Sequence, residues 1–97
     1  DKPFASYYEQ IKNAIGRNDY NSVNHRIAAF MASYFDILFA NNEMLHPGEK
    51  KLVKYAKQNC KVLPEKFEEN INSLLTQPND KTLQILDDMV EKLRATL

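Results

Sequence analysis

The feature that most limits what this chain can fold into is a long helical stretch with almost no polar side. Over residues 20–42, Val23, Ile27, Phe30, Met31, Tyr34, Ile37 and Leu38 recur at spacings of three and four, the period of one helical face. Ala28, Ala32, Phe35 and Phe39 widen that face. What remains is a narrow stripe of Ser22, His25, Arg26, Ala29, Ser33, Asp36, Ala40 and Glu43. A helix apolar over so much of its circumference has to be surrounded by other helices. The expected fold is therefore all-α, a compact bundle of about five helices with this one at its centre.

Punctuation marks the other four. A first helix runs over about 3–15, with Pro3 suited to a first helical position and Phe4, Tyr8, Ile11 and Ile15 on one face. Gly16 is expected to end it in the left-handed conformation. Asp19 or Asn18 then caps the long helix. A third helix is expected to start near Pro47 and reach Asn59, with Leu52, Val53 and Ala56 inward. A fourth covers about 64–76 on Phe67, Ile71, Leu74 and Leu75. The fifth begins after a cap at Asp80 and uses Leu83, Leu86, Met89, Val90, Leu93 and Leu97. No segment alternates apolar and polar residues long enough to read as a strand.

Ninety-seven residues are enough for one domain with one core. The 43% hydrophobic and 27% charged composition lies in the globular range and argues against disorder. The longest uncharged apolar-leaning run, 27–35, is far shorter than the roughly 20 residues a bilayer demands. No basic segment followed by an apolar stretch opens the chain, so a cytoplasmic protein without a signal peptide is expected. Because the chain begins with Asp1 rather than Met, it is read as a fragment of something longer. Net charge is zero but unevenly spread: residues 49–66 carry six lysines against two glutamates, and residues 67–97 six acids against three bases. A nucleic-acid-binding domain usually carries a basic excess overall, which argues against that class.

Individual residues with chemical potential are few. Cys60 is the single cysteine, which excludes a disulfide framework and a multi-cysteine zinc site; it reads as a bystander thiol. Two histidines, His25 and His46, fall short of the three or four ligands zinc takes. Asp87 and Asp88 are adjacent and point about 100° apart on a helix, so they do not converge on a metal. Two stretches hold more interest. The helix expected to start at Pro47 would offer free amides near Gly48 with Lys50 and Lys51 close by, an arrangement suited to an anion. The plainer alternative is an ordinary helix start capped by Glu49. The stripe Arg26, Ala29, Ser33, Asp36 and Ala40 forms a shallow lane of small residues with polar posts. Either a helix of the same domain fills it, or a second domain or substrate does.

The runs Asn24-His25-Arg26-Ile27-Ala28-Ala29-Phe30, Ser33-Tyr34-Phe35-Asp36-Ile37-Leu38-Phe39-Ala40 and His46-Pro47-Gly48-Glu49-Lys50 together resemble the helical C-terminal domain of bacterial nucleotidyltransferase-superfamily proteins. The resemblance covers about residues 20–55. It departs at Asn41 and Asn42, where an apolar residue is expected first. In that family a small catalytic domain with a Gly-Ser motif and paired aspartates precedes the helical bundle, which helps to form the substrate cleft. No Gly-Ser followed by Asp-x-Asp occurs in these 97 residues. The resemblance thus implies a non-catalytic accessory domain, with no cofactor of its own. NTP and magnesium would be held by the missing catalytic domain, the implied partner. From the residues themselves, Arg26, whose guanidinium can grip phosphate in two places, His46, Gly48, Lys50 and Lys51 are the candidate contacts for a small-molecule or nucleotide substrate. His25, Ser33 and Asp36 mark the candidate domain-contact lane. The rival expectation is a free-standing helical interaction module, antitoxin-like or an adaptor.

Overall fold

The computed structural model describes residues 2–48, 50–76 and 81–96, with Lys2 and Pro3 described by backbone alone. Among these residues run α1 (Lys2–Gly16), α2 (Tyr20–Asn41), α3 (Leu52–Asn59), α4 (Phe67–Thr76) and α5 (Thr82–Arg94), and no strand. The expected all-α bundle is the fold. Among the described residues, no helix is long and apolar enough to cross a membrane.

The long helix is the centre of the core. Val23, Ile27, Phe30, Met31, Tyr34, Phe35, Leu38 and Phe39 are all buried along it. Ring contacts then tie the bundle together. Phe4 of α1 meets Phe30 at 5.3 Å between centroids, and Phe67 of α4 meets Tyr34 at 6.3 Å and Phe35 at 6.1 Å. Such pairs add about 0.5–1.5 kcal/mol each beyond their buried area, so α2 holds α1 and α4 by specific geometry as well as by burial. Leu86, Met89 and Leu93 of α5 complete the core. The buried sector of α2 is narrower than its sequence suggests: Ala28 and Ala32 are exposed and Ile37 is only half-buried. Exposing an alanine costs little, because it carries only one methyl group to bury. Leu75, expected inward on α4, is 53% exposed.

Several helix ends differ from expectation. Gly16 stays helical, and Asn18 takes the left-handed conformation instead, at φ 56°. Asp19 N–H then bonds Ala14 carbonyl at 2.9 Å and Asn18 N–H bonds Ile15 carbonyl at 3.0 Å, the paired closure of a Schellman motif. Asparagine tolerates this conformation better than most residues, which relieves Gly16 of the role. Asp19 serves as the expected cap, accepting from Ser22 N–H at 3.2 Å and Ser22 Oγ at 2.7 Å. These two bonds, with the Arg17 guanidinium, hold its carboxyl below the usual range. The α4 helix starts at Phe67, three residues after Pro64, because Phe67 N–H closes a turn onto the Pro64 carbonyl and Lys66 is left-handed at φ 59°. The expected cap Asp80, the inward Leu97 and the capping Glu49 lie outside the described residues.

The largest correction concerns α3, which starts at Leu52 rather than near Pro47. Gly48 has φ +106°, a value foreign to a right-handed helix, and its N–H is taken by Nδ1 of His46 at 3.1 Å. Lys51, the residue before the helix, is left-handed at φ 52°. Two non-helical backbones at 48 and 51 keep the helix from propagating back to the proline.

Candidate functional site

Residues 42–48, which follow α2, are held by several specific contacts. A second Schellman closure ends α2: Met44 N–H bonds Phe39 carbonyl at 2.9 Å and Glu43 N–H bonds Ala40 carbonyl at 3.0 Å, with Glu43 left-handed at φ 55°. The chain thereby turns back along α2 and lays the His46 ring edge-on to Phe39, 5.4 Å between centroids. His46 Nδ1 accepts the Gly48 N–H, so in the neutral ring the proton belongs on Nε2. That nitrogen faces Asp36 Oδ1 at 4.0 Å, an electrostatic contact rather than a hydrogen bond. Between these anchored residues Leu45 is 91% exposed.

Asn42 extends the feature. Its Nδ2 donates to the carbonyls of Leu38 and Val62, both at 2.9 Å, and its Oδ1 accepts Val62 N–H at 2.8 Å. Val62, itself 45% exposed, is thus fixed at the end of α2 that carries Leu45. Asn42, where an apolar residue was expected, has a structural duty here.

The expected contacts separate into two groups. Asp36 and His46, assigned to different roles from the sequence, are brought together. Arg26 is not brought to them: ten residues along one helix place it about 15 Å from Asp36. It lies instead beside Gln10, Asn13, Arg17 and Ser22, around a small cleft of about 190 Å³. Gln10 Oε1 is buried there with no hydrogen-bond partner. The free amides expected at Gly48 do not open a helix, and Lys50 and Lys51 are simply exposed. In the lane, Ser33 Oγ meets Tyr7 OH at 3.2 Å, so α1 occupies its middle. His25 is exposed, away from that contact. Burial pushes the Cys60 thiol up, away from the thiolate a nucleophile requires. No group of three or more His, Cys, Asp or Glu side chains among the described residues is arranged to hold a metal.

One feature escaped the sequence reading. Between α1 and α5 lies a groove of about 750 Å³. Its apolar lining is Phe4, Ala5, Tyr8, Phe30, Leu86 and Val90, and Glu9, Asp87 and Glu91 stand along it with Arg94. Asp87 and Glu91 are four apart beside Leu86 and Val90, four apart likewise, which was the available signal. What was missing was the knowledge that α1 and α5 are neighbours.

Comparison with family models, with curated proteins and with solved structures finds no match to this chain.

Proposed function

We propose that the chain is a non-catalytic helical accessory domain of a nucleotidyltransferase-like protein, docking on a catalytic domain through the end of α2. On this reading NTP and magnesium belong to the catalytic domain, and the helical domain helps to form the substrate cleft. The observation that carries the docking role is Leu45, 91% exposed between residues fixed by Schellman closure, ring packing and the His46–Gly48 bond. An apolar side chain held in water on an ordered backbone binds a partner without the entropy cost of ordering a loop.

The second reading is a free-standing helical interaction module. The α1/α5 groove favours it, since it gives the domain a second surface suited to a partner. The gene distinguishes the two. A reading frame continuous with the Asp1 codon and encoding Gly-Ser and Asp-x-Asp upstream supports the accessory domain. A start codon immediately before Asp1 overturns it in favour of the free-standing module.

A further inference from the structure

We propose that the groove between α1 and α5 docks a basic amphipathic helix of a partner protein. The surface is distinct from the end of α2, and the inference does not depend on the accessory-domain reading. Phe4, Phe30 and Leu86 are buried at its base, while Tyr8 and Val90 are half-buried and keep apolar surface toward the opening. The exposed carboxylates stand on both helices, Glu9 on α1 and Asp87 and Glu91 on α5. Asp87 and Glu91 share one face of α5, where like charges four apart destabilise a helix slightly. Three carboxylates lining an apolar groove complement an apolar stripe flanked by cations on both sides.

Length and charge choose the occupant. On α5 the lining runs from Leu86 to Arg94, about 12 Å of helix, which matches two turns of a docked helix. Apolar side chains three and four apart on that helix would enter between Tyr8 and Val90. Lysines or arginines beside them would meet Glu9 on one side and Asp87 and Glu91 on the other. Arg94 also lines the groove, so its lining is acidic on balance.

The test uses a synthetic helical peptide with leucines at positions i, i+4 and i+7 and lysines flanking them. Two controls accompany it: the same peptide with glutamates for lysines, and a scrambled peptide of identical composition. Backbone amide NMR shifts are followed on the whole chain. Binding is expected to be saturable, to move Ala5, Tyr8, Leu86 and Val90, and to weaken about tenfold between low and physiological salt. Asp87→Lys with Glu91→Lys, both at exposed positions, should weaken it at least about tenfold while circular dichroism stays unchanged. The proposal is overturned if those amides stay still at millimolar peptide, or if the glutamate or scrambled peptide binds as tightly. It is overturned equally if sedimentation shows that the groove is covered by a second copy of this chain.

Discussion

Asn42 holds Val62 by both of its backbone groups, donating to the carbonyl at 2.9 Å and accepting the N–H at 2.8 Å across twenty residues of sequence. A side-chain amide used this way imitates a strand partner and fixes the α3–α4 connection to the end of α2. Net worth is about 1 kcal/mol per bond in such settings. Asn42→Ala is expected to cost about 1–2 kcal/mol in urea unfolding and to speed hydrogen exchange at the Val62 amide. Unchanged exchange there would show that the clamp does not form.

Phe30 and Leu38 lie on the buried face of α2, 1% and 0% exposed. Either one replaced by alanine should lose about 2–5 kcal/mol. A loss below about 0.5 kcal/mol would place that face in solvent.

Burial pushes the Tyr34 phenol well above its ordinary value of 10.0. The unfolded chain therefore gives up this proton first as pH rises. Stability from this group is complete below pH 10 and falls as pH climbs beyond it. Tyr34→Phe should unfold less steeply with pH in that alkaline range than the parent. Identical slopes would mean that the ring is not desolvated.

Glu43 sits at φ 55° where the Schellman closure wants glycine. Glu43→Gly should raise stability by about 0.5–1 kcal/mol, the relief of a left-handed side chain less the added freedom of the unfolded glycine. A destabilised variant would mean that the Glu43 side chain contributes something the backbone argument omits.

The purified chain, supplied with labelled NTPs and a divalent metal, is expected to transfer nothing to any acceptor, since the Gly-Ser and Asp-x-Asp motifs are missing from its sequence. Metal-dependent incorporation by this chain alone would end the accessory-domain reading.

Helix number and the buried face of α2 were legible because apolar period survives any packing arrangement: Phe30, Tyr34 and Leu38 had to point together. Helix starts were less so. Pro47-Gly48 and Pro64 look like openings, yet His46 captures the Gly48 amide and Lys66 turns left-handed, and neither choice leaves a mark in composition. The Asp36–His46 pairing was hidden because it depends on the chain folding back at Glu43, an unexpected left-handed glutamate. The α1/α5 groove was hidden because periodicity identifies faces but does not say which helices become neighbours.

Where an upstream nucleotidyltransferase domain is encoded in the same reading frame, the docking claim is tested most directly by calorimetry between that domain and this chain. Leu45→Asp touches no core residue and should leave the unfolding midpoint unchanged. The account predicts saturable binding by the parent and at least about tenfold weaker binding by the variant, a loss of roughly 1.4 kcal/mol. Equal affinities for parent and Leu45→Asp would contradict it.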